Sequence, residues 1–322
     1  MSGKRGWRMA GQVLRIDSNR VGYAELFFDL VFVFAITQVS HYLLLHYTLD
    51  GAAEAALVFL AVWWVWIYTT WVLNWLDPDA FVVRIMLFLL MGAGLFLSMA
   101  VPDSFADRGA IFAGAYVAMQ LGRTLYMLGV IWFDPSRRQT YLRITSYFSV
   151  SAIFWAWGAL VQDHEKRLLL WAIALGIEYS GPRLDYFVPG FRRDQTSNWT
   201  INGGHMAERC GLFVIICLGE SLLVSGATFA ELEWTAAGLL AFLISVAGTA
   251  GVWWVYFHVG HLRGSQQIEN SDDPGKIARQ SFTYFHIPIV AGIVLSAVGA
   301  KRALSIPAIW QAMARGRRSS VG

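Results

Sequence analysis

Apolar residues gather into long runs at about 23–45, 52–73, 81–101, 110–133, 144–161, 167–180, 207–227, 234–258 and 282–300, each bounded by Pro, Gly or charged residues. Most of these runs have the length a helix needs to cross a bilayer core. The pattern predicts an all-α, polytopic transmembrane helical bundle of about nine spans, the 167–180 run being the shortest. Polar exceptions are unevenly placed. The first run opens with Glu25 and Asp29, four residues apart and so on one helical face, and carries Thr37, Gln38 and Ser40 further along. Two acids on a lipid-embedded face are costly unless that face looks at other helices, a cation or water. The first helix is therefore expected to be an inner, functional one.

The runs also echo one another. Trp63-Trp64-Val65-Trp66-Ile67 in the second matches Trp253-Trp254-Val255-Tyr256-Phe257 in the eighth, and Gly94-Leu95-Phe96-Leu97-Ser98 in the third matches Gly292-Ile293-Val294-Leu295-Ser296 in the ninth. Glu25 opens the first run as Glu208 opens the seventh. The expectation is a parallel six-span repeat with a shortened second copy, its pseudo-axis along the membrane normal and the first and seventh helices in equivalent positions. The chain then divides into a basic N-terminal segment at 1–20, a first transmembrane repeat at 21–180, a loop at 181–206, a second, shortened repeat at 207–300 and a basic tail at 301–322.

Composition fits only this class. A chain of 322 residues that is 56% hydrophobic and 15% charged, with 15 Trp and a mean hydropathy of +0.48, is too apolar for a soluble domain. Lys and Arg cluster at 4–20, 137–143, 183–193 and 263–279, with Arg84, on one side of the runs; the opposite loops hold only Arg108, Lys166 and Arg167. The bias places the N-terminus and the 181–206 loop in the cytoplasm of a multi-pass cell-membrane protein. The net charge of +3 is thus an anchoring bias, and no nucleic-acid partner is expected. The N-terminal segment lacks the short apolar core and small-residue cleavage site of a removable signal peptide, so the first span is expected to do the targeting. Cys210 and Cys217 are seven helical residues apart, roughly 10 Å, too far for a disulfide.

The seventh run reads His205-Met206-Ala207-Glu208-Arg209 at its start and Leu218-Gly219-Glu220-Ser221 further in. Glu220 lies roughly 18 Å along the axis from Glu208, a depth at which a carboxylate needs a partner. Arg123, Thr37, Gln38 or a passing cation would serve. A structural Glu220–Arg123 pair and a transport or proton role both remain open. His258, His261 and His286 fall at the cytoplasmic side with His205 and form a candidate cluster there; His-x-x-His alone does not specify a metal, and no metal or other cofactor is assigned. Arg84 is read as snorkelling to headgroups or pairing with Glu25, Asp29 or Asp77. Glu178, close to the interface, is read as solvated, and the Trp clusters as aromatic belt and packing surface. Gly-x-Ser-x-Gly elbows, phosphate-binding loops and Cys-x-x-Cys pairs are absent from the sequence.

The strings Glu25-Leu-Phe-Phe-Asp29-Leu-Val-Phe-Val-Phe-Ala-Ile-Thr37-Gln38, Trp63-Trp64-Val-Trp66-Ile-Tyr-Thr-Thr-Trp71 with Asn74-Trp75-Leu-Asp77-Pro78, Glu208-Arg209 and Leu218-Gly219-Glu220-Ser221 together resemble the bacterial low temperature requirement A (LtrA) family of integral membrane proteins, over Tyr23 to about Ala300. The resemblance implies a polytopic inner-membrane protein linked to growth at low temperature, and specifies no molecular activity. Members are usually longer at the C-terminus, in keeping with an incomplete second copy. A second similarity, of Phe28-Asp29-Leu30-Val31-Phe32 and the residues to Thr37, is to the Phe-Ser-Asp signature of potassium channels built on six-span repeats, with Phe28 where that signature has Ser.

The leading expectation is passage of a cation, proton or small solute along a path lined by the first and seventh helices. Glu25, Asp29, Thr37, Gln38, Glu220 and Ser221 are its polar positions, and Arg84, Arg123, Glu208 and Arg209 the charge partners. An intramembrane enzyme or lipid-modifying factor built on the Glu/His/Arg cluster, and a non-catalytic assembly factor, are the alternatives. The lipid bilayer is the one certain partner, and homo-oligomerisation is left open.

Overall fold

A computed structural model of the chain describes residues 13–15, 20–191, 201–260 and 274–319. Nine long helices run through these residues: α1 (Tyr23–Leu45), α2 (Leu49–Leu73), α3 (Phe81–Ala100), α4 (Gly109–Val130), α5 (Pro135–Leu160), α6 (His164–Arg183), α7 (Gly203–Glu231), α8 (Ala236–Trp254) and α9 (His286–Ser319). Among the described residues there is no β-strand beyond an isolated bridge between Leu14 and Leu76. Six stretches are long and apolar enough to cross a membrane: α1, α2, α3 with its extension to Asp103, α7, α8 continued to His258, and Gly275–Leu304. The other three helices, α4 to α6, bury Gln120, Arg123, Arg143, Arg167 and Glu178 and carry more polar character for it.

Short polar residues at the turns set where helices begin. Thr48, Asp134, Asp163, Asn202 and Thr235 each accept at least one backbone N–H of the first turn that follows, which satisfies one or two of the orphan amides at five helix starts. At Asp163 the Lys166 N–H and ammonium hold the exposed carboxyl below its usual range. Asp134 followed by Pro135 moves the start of α5 upstream of the apolar run that begins at 144, because proline's fixed φ suits the first helical position. The end of α6 also differs from the sequence expectation. The helix continues through Pro182 to Arg183 and closes with the Tyr186 N–H donating to Gly181 O at 2.8 Å, which holds Asp185 and Tyr186 at φ of 49°, in the left-handed region.

α2 is the axis of the bundle. It touches α1, α4, α6, α7 and α9, and its spanning window is 83% buried, against 56% for α1 and 6% for α8. The first helix is thus an inner one, but its neighbour is more enclosed. The aromatic string explains why: Trp63, Trp64 and Trp66 are essentially fully buried, Trp64 stacks on Tyr179 at 3.8 Å, and the Trp63 indole donates to Thr283 O at 2.9 Å. Large flat side chains fill the helix junction, and the indole nitrogens of Trp63 and Trp66 find acceptors there while that of Trp64 does not. The matched Trp253 and Trp254 of α8 are 42% and 58% exposed and face outward. Around this axis α3, α4, α5 and α6 pack in chain order, while α7, α8 and α9 pack on one another and meet the rest through α1 and α2.

The α5–α6 junction depends on close backbone approach. A Cβ on Gly158 would lie 2.6 Å from the Trp171 ring, whose indole donates to Trp155 O at 3.2 Å and is fully buried. Gly158→Ala is expected to lower stability by about 1–3 kcal/mol through overpacking, whereas Gly114→Ala, which meets open space, should be neutral or slightly stabilising. Thermal melting of the two variants in detergent checks both outcomes.

Candidate functional site

The starts of α1 and α7 bring four sequence-predicted residues into one buried cluster. Glu25, Asp29, His205 and Arg209 have no solvent exposure. Glu25 reaches back one turn to accept the Gly22 N–H at 2.7 Å, and also accepts from Arg15 Nη2 at 3.2 Å and from His205 Nε2 at 2.9 Å. Asp29 Oδ1 accepts from Arg209 Nη2 and from the Trp66 indole, both at 2.8 Å. Arg209 Nη1 lies 3.7 Å from Glu25 Oε1 and its guanidinium sits 5.8 Å from the Trp66 ring centroid. Helical period aligns the contributors: Glu25 with Asp29, and His205 with Arg209, are each four residues apart and so share a face.

Asn74 fixes the state of the histidine. Its amide nitrogen donates to Asn202 O at 2.9 Å and its carbonyl accepts the Asn202 N–H at 3.0 Å, so the same nitrogen can only donate to His205 Nδ1 at 3.3 Å. The hydrogen-bond network therefore assigns a neutral imidazole carrying its proton on Nε2, directed at Glu25. Two carboxylates then face two guanidiniums, and the cluster is electrically closed. Glu25 and Asp29, read from the sequence as polar positions of a cation, proton or solute path, meet protein cations here. Asp29 Oδ2 and Arg209 Nε and Nη1 are left without a hydrogen-bond partner inside the cluster.

Further along α1 and α7 the other polar positions also converge. Thr37, Gln38, Glu220 and Ser221 line one cavity of about 270 Å³, completed by α9 through Ile293, Val294 and Lys301. Asp29 and Thr37 are eight residues apart, roughly 12 Å of helix. The intervening level is filled by buried Phe32, Val33, Phe213, Val214 and Cys217, so the cavity and the charge cluster are separated by an apolar plug. Thr37 and Ser221 donate to their own helix carbonyls, Val33 O at 3.0 Å and Cys217 O at 3.1 Å, which leaves the hydroxyl oxygens free to accept.

Other candidates lie elsewhere. Arg123 does not meet Glu220: its guanidinium donates to Val65 O and Thr69 Oγ1, both at 3.0 Å, and to Gln120. Arg84 pairs with Asp79 at 2.6 Å, with both side chains about half or more exposed, a contact of small energetic weight. Glu208 is half-buried beside Arg209, turned away from the cluster by one residue's rotation about the helix. The histidines are not gathered. His205 is held by Glu25, His286 lies between Ser281 O and the Tyr256 hydroxyl at 2.8 Å each, His258 is exposed against Trp254, and His261 lies outside the described residues. Among the described residues no three His, Cys, Asp or Glu side chains are grouped as a metal ion would require.

One buried acid is placed differently from the sequence reading. Glu178 is 2% exposed and accepts from Ser151, from the Trp155 indole at 3.2 Å, from the Tyr116 hydroxyl at 2.5 Å and from Gln120 Nε2 at 3.0 Å. Gln120 in turn accepts from Arg123, so a Glu–Gln–Arg chain ties α6 to α4 and α2. Four polar neighbours thus engage both oxygens of this carboxyl group. The signal available in the sequence was the chemistry of the neighbours: Tyr116, Gln120 and Arg123 recur at helical spacing in an otherwise apolar run.

A family model described as bacterial low temperature requirement A protein (LtrA) matches residues 20–316. A relative from Rhizobium meliloti (strain 1021), named uncharacterized protein RA0937, is 43% identical over 293 residues, which covers 90% of this chain and 71% of the relative. No solved structure matches.

Breaking the buried pair should cost far more than removing it whole. Asp29→Leu leaves Arg209 short of a buried counter-charge and Arg209→Met does the same to Asp29, so each is expected to lose about 3–5 kcal/mol of stability. The double variant Asp29→Leu with Arg209→Met should recover most of that loss. Chemical or thermal unfolding of the three variants in detergent measures the coupling; equal losses in all three would contradict the pairing.

Proposed function

The chain belongs to the bacterial low temperature requirement A (LtrA) family of membrane proteins, and on that premise we propose that it moves a cation, a proton or a small solute along a path lined by α1 and α7. The observation that carries the reading is the way these two helices share both polar features: a charge cluster closed on itself at one end and an open, part-polar cavity of about 270 Å³ at the other. Ionisable side chains are rare inside membrane spans and mark substrate or proton paths when they face the bundle interior.

In this reading the structure is one end-state of a gated path. With the N-terminus cytoplasmic, as the Lys and Arg distribution predicts, the cavity opens on the outer side and the Glu25/Asp29/His205/Arg209 cluster is the inner closure. Opening requires Arg209 to leave Asp29, and the shared Trp66 contact makes α2 the element against which α1 and α7 shift. A carboxylate and a guanidinium that lose each other inside a bilayer need replacement partners, so an incoming cation or proton at Asp29 would favour the shifted state. The link to low-temperature growth carried by the family's name is extended to this chain as part of the same proposal.

Flux in liposomes reconstituted with purified protein tests the path. Wild-type protein should dissipate an imposed solute or proton gradient, and Glu220→Gln and Asp29→Asn, folded as judged by gel filtration, should each reduce the rate by roughly tenfold or more. Undiminished flux in both variants, or none in wild type under any gradient, would move a non-conducting assembly role ahead.

A further inference from the structure

The cavity at the far end of α1 and α7 holds an acid and an amine that are not paired, with the exposed imidazole of His41 also in its lining. Glu220 and Lys301 both line it, both are half-buried, and neither has a hydrogen-bond or ion-pair partner among the described residues. Two opposite charges in one space of about 270 Å³ would ordinarily collapse onto each other or each find a neighbour; here three helices hold them on different walls. Their presence together restricts what can sit between them. A simple cation gains Glu220 but meets Lys301, and a simple anion gains Lys301 but meets Glu220. A molecule with an ammonium and a carboxylate satisfies both.

The remaining lining agrees with that occupant. An ammonium group has three donors and needs three acceptors, and beside Glu220 the Thr37 and Ser221 hydroxyl oxygens face the cavity with their protons already committed to Val33 O and Cys217 O. Gln38 supplies a carbonyl and an amide at the same level as Thr37. Ser40 and His41 complete the polar lining, and Val33, Ile36, Val224, Ile293 and Val294 give the wall an apolar part that suits a short aliphatic side chain. We infer that the cavity is a binding site for a small zwitterionic amino acid, its ammonium on Glu220 and its carboxylate on Lys301. The inference rests on the reading of α1 and α7 as a solute path and names the class of solute.

Equilibrium binding to the full chain in nanodiscs tests it, using radiolabelled glycine, alanine and valine as probes and the two half-molecules of alanine, alaninamide and propionate, as competitors. At least one of the three amino acids should bind saturably, with alaninamide and propionate each weaker by roughly tenfold or more because each leaves one half-buried charge unpaired. Glu220→Gln and Lys301→Gln should each weaken binding by a similar factor, and the exchanged pair, Glu220→Lys with Lys301→Glu, should regain most of it. Regain in the double variant separates recognition from misfolding. Absence of saturable binding by all three amino acids, equal competition by either half-molecule, or unchanged affinity in both single variants overturns the assignment. Glu220-dependent ion or proton flux without amino-acid binding would overturn the zwitterion alone, whereas absence of both flux and binding would remove the path as well.

Discussion

The structure turns on one constraint: charges that leave water must be answered inside the protein. Asp29 and Arg209 come from helices 180 residues apart in the chain and meet at 2.8 Å with no solvent access. Desolvating either group alone would cost several kcal/mol, so the two helices are tied together wherever these side chains are ionised. The tie fixes rotation as well as proximity, because a single residue's turn about α7 would replace Arg209 by Glu208 and set acid against acid. Asn74, which orients His205, and Trp66, which completes Asp29, extend the same requirement to α2.

That requirement gives α2 its character. Its aromatic residues are not a belt at the membrane surface but the filling between five other helices, with indole nitrogens reaching Asp29 and the backbone of the segment before α9. Within hydrocarbon there is no hydrophobic gain in hiding Trp from lipid, so packing and the indole hydrogen bonds hold these contacts together. On the other side of α2 the Glu178–Gln120–Arg123 chain repeats the logic with a neutral amide between the charges. The two networks flank one helix and use the same devices, a buried guanidinium, a buried carboxyl group and indole or amide donors, although nothing in their order along the chain relates them.

The path proposed for α1 and α7 follows from where these networks end. Closing the charge cluster leaves its side chains without solvent exposure, and the apolar residues beyond it form a plug. Beyond the plug Glu220 and Lys301 line one cavity without pairing, and it is on that unmatched pair that the proposed site is built.

Much of this was legible in the chain itself. The lengths of the apolar runs determined the helical, membrane-spanning class and came close to the helix bounds, since the bilayer sets length and local polar residues set the caps. Helical period was enough to single out Glu25, Asp29, Thr37, Gln38, Glu220 and Ser221 as inward, polar positions on two helices. Only the tertiary structure decided which charges answer which. Arg209 meets Asp29, Arg123 turns to Gln120 and the carbonyl of Val65, and Glu178, two residues from the end of its apolar run and so read as solvated, is enclosed by donors from two other helices. Periodicity of 3.6 residues reports the face a side chain occupies; its partner is set by the packing of helices far apart in sequence, and no local pattern encodes that.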